Sequence, residues 1–546
     1  MTQPLPSPTL PAWVRERDGS LVPFEPDRLS RSLFAATEAL GRPDAFLARE
    51  LADGVLHFLA AELEGETPTT EQVAECAVKV VRELGQPALA QAYADRARQR
   101  PPEKEAAAEV VLRFSAREPL AAVVPACVRE YALRTVFTRD LIAAQDDGLL
   151  TLTGLEAPLE MAGCVLGPAA GGLVEALEEA RRLAAGFVAI DGPEHGLTEE
   201  AAAGWLRELA IGLRATGLSA VVNLNVATPP PWADDLADGP LFAGQRRPPA
   251  EGRLAALADL LLDRLPTLPV GPGTVRIDWH LGERDFRSEA EGRLLRLARR
   301  AAEGAALAFV FDRPRRPVAL AEGIDRQHPA VLLTVGLNLP RLVEQAARRS
   351  GLHLAGKGPA DAEVFLHKLG SLARLAISAA AQKRDFLRGQ GGPPAARGFL
   401  LDRARLVASP IGLEDVVRSL TGHGLCDGGP ALDLARQVVR RLRDVLHQEG
   451  RSRLLETCVD GPADLAPGGL TAWDAAAAPK AQLKAAGVLH AAAEGGTAAL
   501  LLPEGPPPTA EQAAGWLRLA WRQGNVVRLR LARAAAAHRQ LSFGPA

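Results

Sequence analysis

The chain has 546 residues, 47% of them hydrophobic and 24% charged, with a formal net charge of -3. That length exceeds the needs of one compact domain, and the composition is that of an ordinary folded protein with a large core. No run approaches the roughly 18 consecutive apolar residues of a membrane helix, and no basic stripe marks a nucleic-acid face. Neither membrane nor nucleic acid is therefore an expected partner. Residues 1–11 carry no secretory pattern, which makes the cytoplasm the expected compartment. Cys76, Cys127, Cys164, Cys426 and Cys458 are far apart and form no CxxC pair, so no zinc ribbon, iron–sulfur site or disulfide scaffold is expected, and no metal.

In chain order, residues 12–24 read as a hairpin: Trp13-Val14-Arg15, an Asp18-Gly19 turn that supplies positive φ, then Leu21-Val22-Pro23-Phe24. Amphipathic helices follow at about 27–40, 44–64, 70–85 and 88–98, the third opening at Thr70 and closing near Gly85. The stretch 98–104, with Pro101-Pro102, breaks the helical period and is the expected linker. Beyond it, strand-like runs at 149–152, 220–224, 274–278, 307–311, 332–337 and 498–502 alternate with Ala/Leu/Arg-rich helices to about residue 535, which predicts an α/β architecture. The period alone does not separate a barrel from an open sheet.

The run Val14-Arg15-Glu16-Arg17-Asp18-Gly19, then Val22-Pro23-Phe24 and Asp27-Arg28-Leu29, resembles the ATP-cone signature. Thr70-Glu71-Gln72-Val73, Ala90-Gln91-Ala92-Tyr93 and Arg96 fit the same family, so the resemblance covers 12–98. It implies a small, mainly helical domain that binds ATP or dATP as effector, with Arg15, Arg17, Asp18, Gly19 and Arg28 at the nucleotide. Guanidinium forks and backbone N–H groups suit a polyphosphate. The alternative is a set of merely solvated arginines. Where the family carries a lysine this chain has Glu16, a carboxylate expected to repel a triphosphate.

Further segments resemble, in order, the anaerobic class III ribonucleotide reductases: Leu141–Leu150, Met161-Ala162-Gly163-Cys164-Val165, Leu333–Arg341 with its Asn338-Leu339-Pro340-Arg341, Pro410–Glu414 read as a turn, Leu454–Thr457 with Pro462-Ala463, and Gly495-Gly496-Thr497. The resemblance implies a ten-stranded α/β barrel of the glycyl-radical enzyme type over 111–535, after a linker at 99–110 and before a tail at 536–546. It also implies a homodimer. Gln145 stands where the family has a histidine. Family chemistry needs a thiyl cysteine on a loop inside the barrel a few tens of residues before the Asn-Leu-Pro-Arg strand, and between Phe309 and Arg341 there is none. No cysteine follows Cys458, so the family's zinc site and glycyl-radical loop are also expected to be absent.

Cys164 and Asn338 remain as catalytic remnants, although a lone thiol on a strand is more often a core residue and Asn338 also reads as a turn or core-polar residue bonded to backbone. His280, His353, His367, His423 and His490 are scattered with no HExxH, and Lys383-Arg384-Asp385 reads as a solvated helix face. Three functions stay open. The first is a nucleotide-binding pseudo-enzyme that acts as a sensor or partner of a reductase or activase chain; the second is an enzyme, either a reductase component that depends on a separate radical-bearing chain or one using unrelated chemistry in the barrel cavity. The third, a cone-bearing DNA regulator, would need a cysteine-rich ribbon ahead of the cone, and residues 1–11 hold no cysteine.

Overall fold

The computed structural model describes residues 10–62, 67–98, 120–166, 172–231, 251–314, 316–350, 359–396, 398–461, 477–502 and 506–533. The expected linker at 99–110 and tail at 536–546 lie outside them. The chain divides into two compact units: residues 1–150 with 370–379, and residues 151–369 with 380–546.

In the first unit β1 (Trp13–Arg15) and β2 (Leu21–Pro23) form an antiparallel hairpin. Four helices follow: α1 (Pro26–Ala39), α2 (Ala45–Glu62), α3 (Thr70–Glu83) and α4 (Pro87–Arg98). Pro26 suits the start of α1 because its missing N–H would go unbonded there anyway. At α3 the cap is Thr69, whose hydroxyl accepts from Gln72 N–H while the Gln72 side chain accepts from Thr69 N–H. The helices bury one stripe each, such as Leu29, Leu33 and Phe34 of α1 and Ala77, Val80 and Val81 of α3. Helices Leu120–Val136 and Arg139–Asp146 complete this part of the chain.

The second unit is built on an 11-stranded sheet. Its strands are β3 (Leu150–Leu152), β4 (Met161–Leu166), β5 (Ala184–Asp191), β6 (Ser219–Leu224), β7 (Val275–Leu281), β8 (Leu307–Phe311), β11 (Ala330–Asn338), β12 (Arg405–Ile411), β13 (Glu456–Val459), β14 (Thr497–Leu502) and β15 (Arg528–Arg533). A separate two-stranded hairpin, β9 (Ala319–Ala321) and β10 (Ile324–Asp325), lies between β8 and β11 in the chain. Ten strands follow one path, 13-12-11-4-5-6-7-8-15-14, and β3 pairs with β11 beside it. Strands β4 to β8 are parallel, as are β11 to β13 and β14 with β15, and the groups meet antiparallel at β11/β4 and β15/β8. The sheet curls around the hairpin: Leu320, Ala321 and Ile324 pack in one cluster with Ala189 of β5, Val221 of β6, Val331 of β11 and Val407 of β12. Strands β5, β6, β11 and β12 pack on the same small insert, and its tip bonds Arg276 of β7 and Asp460 just after β13, so the sheet wraps around it as a barrel with a filled interior.

Every expected strand falls on an observed one; β5, β9, β10, β12, β13 and β15 lie outside the runs named from the apolar pattern, and β4 was indicated only by the resemblance. In β12 the segment Pro410-Ile411 is strand, paired in parallel with Leu337 and Asn338, and not the turn its resemblance implied. The turn residue is Gly412, at φ +74, where a Cβ would come within 2.5 Å of Pro340. Helix Pro359–Gln390 is 32 residues long, and its residues 362–390 are long and apolar enough to cross a membrane. Of its most apolar 18-residue window 67% is buried in the structure, as befits a core helix.

Candidate functional site

Glu16 to Ser20 close the β1–β2 hairpin. Asp18 Oδ1 accepts from both Ser20 N–H (2.9 Å) and Ser20 Oγ–H (2.6 Å), bonds that hold its carboxyl below the usual range, and Gly19 takes φ +88. Asp18 is thereby spent on the turn. Arg15 N–H donates to Pro68 O at 2.9 Å, docking the hairpin beside the start of α3. Arg17 reaches the other end of the helical layer, donating to Ala97 O at 2.9 Å and lying 3.7 Å from Glu71. Arg28, in the first turn of α1, lies 3.4 Å from Glu16 and 3.8 Å from Glu25. The structure therefore brings the hairpin, the start of α1, the start of α3 and the end of α4 into one neighbourhood. Glu16 already pairs with the Arg28 guanidinium.

The barrel interior is organised by the apex of its inner hairpin, Glu322-Gly323. Glu322 takes a two-point ion pair from Arg276 of β7, at 2.8 and 2.9 Å. Arg276 Nε also donates to Asp278 at 2.8 Å, and Asp278 in turn lies 2.8 Å from Nε of Arg528 on β15. Burial alone would raise the Glu322 carboxyl, but Arg276, with Arg528 and Arg530, outweighs it and holds it well below the usual carboxylate range. Gly323 N–H donates to Asp460 Oδ2 at 3.1 Å, and at φ +73 a Cβ on this residue would come within 2.3 Å of Val407. The stem is tied as firmly: Arg405 bonds Asp325 at 2.7 Å, and Arg326 grips Asp191 at 2.8 and 3.1 Å. A cavity of about 1130 Å³ opens over the apex, lined by Glu322, Arg276, Arg530, Thr334 and Lys383 among others.

Cys164 and Asn338 do not meet in this cavity, whose lining includes neither. Cys164 pairs with Val188, and burial pushes its thiol up to about 12. The neighbouring Gly163 faces the ring of Phe187, which packs on the interior cluster, so by the two-residue period Cys164 lies on the opposite, outer face of β4. Asn338 Oδ1 accepts from Arg341 N–H at 3.1 Å, the bond of a residue that caps the following helix. The inward thiol is Cys458 on β13, 3.5 Å from the Cβ position of Gly323 and likewise pushed up to about 12 by burial. Lys383 and Arg384, read from the sequence as a solvated face, are 4% and 7% exposed. Lys383 donates to Pro158 O, and burial brings its ammonium down to about 8. Arg276, Asp278, Glu322 and Arg528 were missed in the sequence, although a signal existed. In Val275–Leu281 charged or polar residues alternate with apolar ones, the mark of a strand with one polar face.

A second buried polar group gathers where β5, β6 and β7 end. His280 Nδ1 lies 3.0 Å from both oxygens of Asp312, and its Nε2 lies 3.0 Å from Asn223 Oδ1. Burial opposes the charged imidazole, but the Asp312 carboxylate outweighs it and raises His280. Nearby Glu194 is fully buried, accepts the Asn225 N–H on one oxygen and leaves the other unbonded; burial pushes its carboxyl up to about 7. Among the described residues no group of His, Cys, Asp and Glu is placed to hold a metal ion.

These two arrangements, a hairpin-and-helix domain and a barrel-like sheet wrapped around an inner hairpin, define the class: a small helical domain joined to a large α/β barrel. Residues 13–100 match the ATP cone domain family and are an ATP-cone domain. Over most of its length the chain has the fold of anaerobic ribonucleotide reductases. It is similar to the Thermotoga maritima enzyme in complex with dATP and CTP at 11% identity and a TM-score of 0.54, over 76% of this chain and 83% of that one. For the same enzyme with citrate in its active site the values are 12% and 0.54, over 76% and 90%. Another structure of an anaerobic ribonucleotide reductase gives 11% and 0.55, over 76% and 78%. No curated protein sequence matches.

Proposed function

We propose that this chain is a nucleotide-responsive regulatory protein: its cone binds ATP or dATP, and its barrel keeps the reductase architecture without thiyl chemistry. The observation that carries this reading is the hairpin apex, which presents to the barrel interior a carboxylate clamped by Arg276 and no thiol of its own. A clamped carboxylate has no hydrogen atom to exchange with a ribose. Residues 310–340 supply no cysteine that could substitute.

In the cone, Arg17 and Arg28 hold the phosphates, Asp18 and Gly19 shape the turn beside them, and Arg15 fixes the hairpin to the layer. The pairs that Arg28 makes now are exposed and long, worth about 0–1 kcal/mol each. Charge-assisted bonds to phosphate are worth roughly 1.5–3 kcal/mol. Triphosphate therefore displaces Glu16 and Glu25 from the guanidinium. Isothermal titration with ATP and dATP tests this; heats that vanish in Arg17→Ala and Arg28→Ala support the site, and their absence in the natural chain sinks it.

One observation favours a second reading, a reductase component that works with a separate radical-bearing chain: Cys458 faces the apex and the cavity above it is open. Anaerobic turnover with an activase and ribonucleoside triphosphates separates the two, since any deoxyribonucleotide formed rules out the inactive barrel. The family resemblance supports a homodimer as the functional unit, to be checked by sedimentation with and without nucleotide.

A further inference from the structure

The nucleotide-facing turn of α1 carries a second charged residue that points elsewhere. Asp27 precedes Arg28, and both of its carboxylate oxygens are used. Oδ1 accepts from Arg49 Nη1 at 2.6 Å and Oδ2 accepts from Ser378 Oγ–H at 2.9 Å. Arg49 is 2% exposed and lies 3.4 Å from Asp53, which accepts from Ser371 Oγ–H at 2.6 Å and from Arg374 Nη1 at 2.9 Å. Ser371, Arg374 and Ser378 are three and four residues apart, so they share one face of the helix segment 370–379 that belongs to the first unit. Asp140, buried on the neighbouring helix, feels the Asp27 charge, and Arg31 donates to the Asp27 main-chain oxygen at 3.2 Å. Two aspartates, two arginines and two serines thus bind α1, α2 and the segment into one ionic network.

We propose that Asp27 is the positioning residue through which nucleotide on Arg28 changes the hold on residues 370–379. The inference rests on the reading that the cone binds nucleotide. Arg28 can follow a phosphate only by leaving Glu16 and Glu25, and the triphosphate brings several negative charges to the turn that carries Asp27. Arg49 is buried and shared between Asp27 and Asp53, so it answers a change at one carboxylate by redistributing to the other. Asp53 is where Ser371 and Arg374 are held. Occupancy at the surface of α1 is in this way read at two points of the segment.

The test is hydrogen exchange of the full chain with and without saturating ATP, beside calorimetric titration of the same samples. The expected result is a change of about fivefold or more in the exchange of amides 370–379 on ATP binding. In a Ser378→Ala/Arg374→Ala variant that change is lost, and by reciprocity the ATP Kd moves about five- to tenfold. Asp27→Asn gives a second, independent perturbation of the same link. ATP binding that leaves 370–379 unchanged overturns the inference while the nucleotide site stands, and so does a full response in the double variant. If neither ATP nor dATP binds the natural chain, the nucleotide reading falls and this one with it.

Discussion

Arg28 in the cone and Arg276 in the barrel place the same guanidinium in opposite circumstances. Arg28 has a side chain 57% exposed and carboxylates no nearer than 3.4 Å, an arrangement that water screens and an anion can dissolve. Arg276 is 18% exposed and bonds two carboxylates at 2.8–2.9 Å in a fork that satisfies most of its donors. The first is poised to exchange partners, and the second is structural cement. The difference teaches that an arginine count says little about ligand sites. What decides is whether leaving the present partner strands a charge in a place without water.

The comparison breaks most visibly at Glu322. Glu322→Ala leaves the buried Arg276 with Asp278 as its one bonded carboxylate and is expected to cost about 3 kcal/mol in denaturant unfolding, whereas Glu16→Ala on the exposed pair changes stability by about half a kcal/mol or less. Gly323→Ala comes next, losing roughly 2–4 kcal/mol through left-handed backbone strain and the clash with Val407; circular dichroism melts read this directly.

Glu194 is a third circumstance, a buried carboxyl with no cation bonded to it. Its folded value is raised, to about 7, so its contribution is fully present below the ordinary value of 4.5 and is lost as pH rises through about 7. Glu194→Gln should therefore nearly match the natural chain at pH 4.5 and exceed it by about 3 kcal/mol at pH 8, measured as unfolding free energy at both. A natural chain equally stable relative to the variant at both pH values would refute this. The smallest effects lie in the cone. Glu16→Gln frees Arg28 and is expected to tighten ATP binding several-fold, with a melting temperature that hardly moves.

Much of the fold was legible because it is written in local pattern. The Asp18-Gly19 turn, the four cone helices and strands such as Leu307–Phe311, buried along their whole length, follow from period and turn chemistry. Strand β15 was hidden because its alternating Arg528-Leu529-Arg530-Leu531 puts charge where a core strand normally has apolar side chains; those arginines face an ionic interior. The site was less legible than the fold. That Glu322 meets Arg276, 46 residues away, or that Gly323 meets Asp460, depends on a hairpin entering a curled sheet, and no local pattern encodes such a meeting. Cys164 drew notice as a thiol near a familiar motif, but a one-residue register decides which face it takes.

The ten residues 370–379 have a practical consequence for dissecting the molecule. A cone cut out at the proline-rich stretch after α4 would lack Ser371, Arg374 and Ser378, leaving Asp53 and Asp27 with unsatisfied oxygens. It would also lack Leu372, Ala373, Leu375 and Ala376, all fully buried in the intact chain. Such a fragment is incomplete in the same sense as a split protein missing its complementing peptide. Supplying residues 370–379 in trans, or splicing them after the last cone helix, is the way to obtain a faithful isolated cone.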